Sequence, residues 1–167
     1  MFGSQKKGGR PTHRVFLRTA LVRWNKRLMT MSPDHENFST GLDLFNRAHF
    51  FDAHEALEDV WRSVPRGQPL RRHLQGMVQL AVAFHHASTG NYVGARSVLE
   101  RGIGNLSGAD SSFPEVDFER LRAELMPWRK YLEGAVSADE KKEGKKLRGR
   151  KSRRYTAPGL PKIMLRR

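Results

Sequence analysis

The sequence predicts an all-α fold: a compact bundle of about five helices between basic, largely extended N- and C-terminal arms. Three observations predict it. Apolar residues in the middle of the chain recur every three or four positions, and no sustained alternation marks a strand. Capping residues, glycines and prolines punctuate that pattern at helix-length intervals. The charge is also partitioned. Residues 1–31 hold eight basic residues and no acidic one, 139–167 hold twelve basic and three acidic, and 32–138 hold eleven basic and fourteen acidic. The arms therefore carry +8 and +9 and the middle −3, within a net charge of +14. Segments this polar bury too little apolar surface to offset the entropy of ordering them. Residues 1–38 accordingly read as a basic arm and linker, 39–137 as the helical bundle, and 138–167 as a basic tail.

Within the first arm, residues 14–29 suit a short basic helix without a clean polar face, and Ser32-Pro33-Asp34 reads as a linker. The first bundle helix is expected over 40–48, capped by Ser39 or Thr40, with Leu42, Phe45 and Ala48 spaced by three. The second is expected over 51–63, where Phe51, His54, Glu58 and Trp61 form one stripe facing the core. Val64-Pro65 ends it, because a residue before proline avoids helical geometry. A third helix starts near Pro69, a good first-turn residue, and ends at Gly90. Its stretch from Met77 to Phe84 is apolar but for Gln79, as befits a buried central helix. Asn91 is placed to cap a fourth helix over 92–106, with Ala95, Val98, Leu99, Gly102, Ile103 and Leu106 inward. Gly76, Gly94 and Gly102 lower helix propensity, and close approach of neighbouring backbones is the expected return. After a loop at 107–114 comes a fifth helix, its stripe Phe118, Leu121, Leu125, Trp128 and Leu132 unbroken, with Pro127 expected to kink it.

Composition excludes several chemistries. The chain has no cysteine, so disulfides, thiolate metal sites and a cysteine nucleophile are absent. No apolar stretch approaches the ~20 residues of a membrane span.

The second helix carries the one constellation with chemical content, His54-Glu55-Ala56-Leu57-Glu58. Residues four apart lie side by side on a helix, so His54 and Glu58 should meet. If they face the core, both need polar partners, and Gln75, Gln79 and His86 share one face of the third helix. The plainer account is a structural polar network. The alternative is a metal site with His54 and Glu58 as ligands and His86 or His85 as a third. It is not the zinc-protease pattern, since Glu58 stands where a second histidine belongs. His85 and His86 are adjacent and point about 100° apart, so they do not chelate one ion together. Glu55 and Asp59 fall on other faces, and Trp61 reads as a core anchor.

The segments FNRAHFFDAHEALEDVWR, LQGMVQLAVAFHH and TGNYVGARSVLERGIGNL together resemble a family of small helical proteins, the domain-of-unknown-function 309 family, over about residues 42–106. His54, Glu55, Glu58, Trp61, Gln75, Gly76, Gln79, Gly90, Asn91, Gly94 and Ala95 match its pattern. The resemblance implies an all-helical bundle and supplies no activity, substrate or cofactor, and no cofactor is expected here.

The arms lie outside that pattern. Lys141, Lys142, Lys145, Lys146, Arg148, Arg150, Lys151, Arg153 and Arg154 form a basic run able to neutralise phosphates without reading sequence. Trp24 and Tyr155 could stack on bases. The expectation is a non-enzymatic, cytoplasmic helical module that associates with RNA or a ribonucleoprotein. Its alternative is a metal-dependent hydrolase using His54, Glu55 and Glu58. An acid-free, arginine-rich segment at 1–31 also has the look of an organelle transit peptide.

Overall fold

In the computed structural model, residues 33–143 and 156–166 are described, and their side chains over 36–137 and 156–166. Five α-helices follow one another: α1 Pro33–Asn46, α2 Phe50–Ser63, α3 Pro69–Ser88, α4 Tyr92–Asn105 and α5 Phe118–Glu143, with a 3-10 turn at Ala109–Ser111 before the last. The element order and type match the sequence expectation. Helix α1 begins earlier, however. Pro33 is its first residue rather than part of a linker, because a helix's first amides need no intrahelical acceptor and proline supplies the right φ. Asn46 and Arg47 end α1, and Ala48 adopts a left-handed φ of 66° that lets the His49 amide reach back to the Leu44 carbonyl at 2.9 Å.

Helix α3 is the hub. Leu70, His73, Leu74, Gly76, Met77, Leu80, Ala81, Ala83 and Phe84 are all buried along it. It packs on α2 to one side and α4 to the other. A helix with this much buried perimeter cannot lie at a surface. The core aromatics run through it: Phe45 of α1 meets Phe50 and Phe84 edge-on at 5.4 and 5.8 Å, and Phe84 meets Trp128 of α5 at 5.0 Å. The α5 stripe Phe118, Leu121, Leu125, Trp128 and Leu132 is buried throughout, and the helix runs on through Pro127.

Two glycines set the α3–α4 spacing. A Cβ on Gly76 would lie 2.8 Å from Leu106 Cγ and 3.1 Å from the Gly102 carbonyl oxygen, and a Cβ on Gly102 would lie 3.2 Å from the Gly76 carbonyl. The backbones are in contact, as expected for Gly76 and Gly102. Gly94 answers a different need, since the Asn91 side chain folds over it to accept its amide at 2.9 Å and cap α4.

The C-terminal arm departs from a free tail. Helix α5 continues to Glu143, past the expected limit at Ser137, and residues 156–166 lie extended across the bundle. Ile163 is buried, and its backbone exchanges two hydrogen bonds with the Asn46 amide at 2.8 and 2.9 Å. Trp128 Nε1 donates to the Gly159 carbonyl at 2.8 Å, and the Lys162 amide to Glu124 Oε2 at 2.7 Å. Val116 and Leu165 form an antiparallel bridge, flanked by the Asp117 amide on the Met164 carbonyl and the Arg166 amide on the Glu115 carbonyl. Arg166 also pairs with Asp110 at 2.8 Å. The segment thereby bridges α1, the loop before α5, and α5. Its buried Pro161 and Ile163 and these backbone hydrogen bonds outweigh the basic composition that suggested solvation throughout.

Among the described residues, one buried titratable group lies in the core. His73 is 2% exposed, with Nδ1 2.6 Å from Ser112 Oγ, tying α3 to the 3-10 turn. Burial and then the adjacent Arg72 charge push its pKa below the usual 6.5, and a hydrogen bond with the Ser107 backbone opposes without prevailing.

This packing has two testable consequences. Gly76→Val should cost about 1–3 kcal/mol by overpacking, whereas Gly104→Ala, with nothing within 4 Å of its new methyl, should gain about 0.5–1 kcal/mol from helix propensity. Urea midpoints of the two variants should therefore move in opposite directions. His73 is held neutral in the fold but accepts a proton more readily once unfolded. Stability is thus complete above pH 6.5 and falls as pH drops below that value toward the lowered folded-state pKa. Urea titrations between pH 8 and pH 5 should show this loss, and His73→Gln should flatten it.

Candidate functional site

Helix α2 presents two stripes at three-four spacing, one residue apart. The buried one is Phe50, Ala53, Leu57 and Val60, not Phe51, His54, Glu58 and Trp61 as the spacing alone suggested. The helix is turned by about 100°, so Phe51 is 52% exposed and the polar pair lies at the boundary of the bundle. The choice follows from transfer free energy. One stripe is wholly apolar, while the other would bury an imidazole and a carboxylate. Two adjacent phenylalanines hid that distinction, but the uninterrupted apolar run Phe50, Ala53, Leu57, Val60, Val64 was the available signal.

His54 and Glu58 do meet, as their spacing required. Nε2 of His54 lies 3.1 Å from Glu58 Oε2, and Arg62 donates to the other carboxylate oxygen at 3.0 Å. The side chains of His54 and Glu58 are 27% and 24% exposed. Phe51 lies against His54 and, across the helix interface, against His85 of α3, with ring centroids 6.0 and 5.6 Å away. The result is a shallow aromatic and imidazole surface where α2 meets α3. Among the described residues, no three His, Cys, Asp or Glu side chains gather closely enough to hold a metal ion.

The expected partners on α3 go elsewhere. Gln75 is exposed near the start of the helix. Gln79 accepts from Asn105 of α4 at 2.9 Å, and His86 Nδ1 lies 3.3 Å from the Asn91 amide nitrogen beside the α4 cap. Glu55 is exposed on another face. The expected network is therefore a set of separate local pairs. The shared face of Gln75, Gln79 and His86 was real, but it looks toward solvent and α4 rather than toward α2.

Trp61 is partly buried against the core, and Arg71 explains its setting. The guanidinium stacks over the indole with its carbon 4.1 Å from the ring centroid. The same group donates to the Trp61 carbonyl at 2.7 Å, to the Arg62 carbonyl at 3.4 Å and to the Val64 carbonyl. Pro65 prevents a normal helical continuation, so Arg71 satisfies the orphan carbonyls at the end of α2 from the first turn of α3. Trp61 Nε1 is buried without a hydrogen-bond partner. Sequence reasoning missed Arg71, because a charge ten residues from the carbonyls it caps leaves no local pattern. It also missed His73, whose spacing with Leu70, Leu74 and Met77 did mark it as inward.

Of the basic run, Lys141 and Lys142 lie on the last turn of α5 with side chains outside the described residues. Lys145, Lys146, Arg148, Arg150, Lys151, Arg153 and Arg154 also lie outside them, as do Tyr155 and residues 1–32, including Trp24 and the helix expected at 14–29.

Comparison with known proteins agrees with the family resemblance. The family model described as Domain of unknown function (DUF309) matches residues 38–98, which run from α1 into the first half of α4 and include His54, Glu58 and Trp61. A relative from Aquifex aeolicus (strain VF5), described as an uncharacterized protein, is 25% identical over 100 residues. That match takes in 60% of this chain and 30% of the relative, so the chain spans under a third of the relative's length. No solved structure matches.

The geometry separates two substitutions that looked alike in sequence. Glu58→Ala breaks a partly exposed pair and should cost less than about 1 kcal/mol. Arg71→Lys keeps the charge but removes the planar fork over Trp61 and its three carbonyls, and should cost about 1–3 kcal/mol. Thermal melts of the two variants beside the parent should rank them in that order.

Proposed function

We propose that this chain is a non-enzymatic helical module that associates with RNA or a ribonucleoprotein through its basic arms. One observation carries the reading. All seventeen acidic residues lie within 33–143, so the eight basic residues of 1–32 and the ten of 144–167 have no acidic neighbour in sequence. Within the bundle, charges are extensively paired: Arg129 with Glu100, Arg122 with Asp110, Arg120 with Glu124 and Arg62 with Glu58. Arg166 at the C-terminal end also pairs with Asp110, but the run from Lys145 to Arg154 itself contains no carboxylate. A polyanion is the partner that rewards this arrangement, because each phosphate neutralised releases condensed counterions.

The hydrolase reading draws less support. His54 and Glu58 touch, but Arg62 occupies the second carboxylate oxygen, and Glu55 is on another face. The pair fits a surface contact that fixes side-chain orientation on α2.

The arms are best tested without truncating the C-terminus, because residues 156–166 are part of the bundle. Replacing Lys145, Lys146, Arg148, Arg150, Lys151, Arg153 and Arg154 with Gln, with and without deletion of 1–31, should leave the melting temperature near the parent's. Affinity for a single-stranded RNA oligomer at low salt should fall. The slope of log affinity against log salt should flatten by about 0.7 for each phosphate that is no longer neutralised. Parental affinity and slope in the doubly altered chain would overturn the proposal.

A further inference from the structure

Between α4 and α5 runs an open groove of about 870 Å³, on a different face from the His54–Glu58 pair and within the described bundle. Its floor is apolar. Met126 is 50% exposed there, beside Ala123 and Pro127. Ala123 and Pro127 both line the groove and contribute to its apolar floor.

The rim is charged, and its pairing is uneven. Arg129 is held in a two-pronged contact by Glu100, at 2.6 and 2.7 Å. The hydrogen bond and charge of Glu100 keep that guanidinium firmly charged, so this rim carboxylate is committed to Arg129. Arg96 on α4 and Lys130 on α5 line the same groove, and neither is ion-paired with a carboxylate among the described residues. Two uncommitted cations therefore flank an exposed methionine.

We propose that the α4–α5 groove is a binding site for a small anionic amphiphile, a medium-chain carboxylate whose head group meets Arg96 and Lys130 and whose apolar body covers Met126 and Pro127. Charge complementarity selects the head group: a charge-assisted hydrogen bond to guanidinium or ammonium is about twice as strong as a neutral one. The volume falls within the ~300–1,000 Å³ of typical small-ligand sites. The open side leaves part of the ligand wet, so affinity is modest and sensitive to both halves of the site. The site is independent of the RNA reading, which rests on the arms.

Decanoate is a direct probe, titrated below its micellar range into the full-length chain and followed by calorimetry. Saturable one-to-one binding is expected. Arg96→Ala combined with Lys130→Ala should weaken it by about tenfold per cation removed. Met126→Ser should weaken it as well, and decanol, with the same chain and no charge, should bind less tightly than decanoate. The protein with residues 145–154 neutralised as above should bind decanoate like the parent. Absence of saturable binding overturns the proposal, and so does parental affinity in the Arg96/Lys130 variant. Abolition of binding on neutralising 145–154 alone would assign the anion to the arm and overturn it too. Circular dichroism of each variant separates a weakened site from an unfolded bundle.

Discussion

The bundle depends on a contact that contains no side chain. Gly76 and Gly102 let the backbones of α3 and α4 touch, and almost everything else is measured from that crossing. With the helices this close, Leu106 caps the contact and Gln79 reaches Asn105 across the interface. Helix α4 is then held at the depth where Val98 and Leu99 are buried and Arg96 and Glu100 stand on the outer face beside α5. A residue with a Cβ at either glycine would push the helices apart by a few tenths of an ångström or more. Close-packed interiors do not absorb such a shift without weakening dispersion along the whole interface. The helix propensity that glycine forfeits is small beside that penalty.

Around this crossing, the ends of the elements are secured by polar groups far away in sequence. Arg71 closes the C-terminus of α2 from α3. Asn46 at the end of α1 holds Ile163, 117 residues later, through two backbone bonds. Asp110 gathers Arg122 and Arg166, and Glu124 takes the Lys162 amide. Arg71 and Asn46 satisfy part-buried backbone groups that folding would otherwise leave unpaired, while the exposed Asp110 and Glu124 contacts contribute less. The docked segment 156–166 thus belongs to the fold as much as any helix, although it has no regular structure. In sequence, the basic run from Lys145 to Arg154 falls between α5 and that segment.

The functional consequence is a division of labour. The bundle neutralises its own charge through local ion pairs and presents modest surface features, the aromatic and imidazole surface at α2–α3 and the groove at α4–α5. The arms carry the long-range field. On the proposed reading, cationic extensions on a nearly neutral body would add polyanion affinity without placing unpaired charge in the core. His54 and Glu58 contribute to neither the core nor the arms. Their contact is a helix-surface pair whose geometry follows from four-residue spacing alone.

The sequence by itself determined what is local and periodic. It specified the five helices, the α5 stripe from Phe118 to Leu132, the Asn91 cap, the glycine-permitted approach of α3 and α4, and the meeting of His54 with Glu58. Each follows from backbone geometry and hydrophobic spacing within one or two turns. Tertiary structure decided the rest. It fixed which of two adjacent stripes on α2 packs against α1 and α3, a choice that the wholly apolar run Phe50, Ala53, Leu57, Val60 had already favoured. It sent Gln75, Gln79 and His86 to different surroundings, since a shared helical face does not say what lies opposite. It brought Arg71 to the carbonyls of α2 and residues 156–166 to Asn46, Glu124 and Trp128. Those contacts join positions from under ten to over a hundred residues apart, and no periodicity in the chain encodes them.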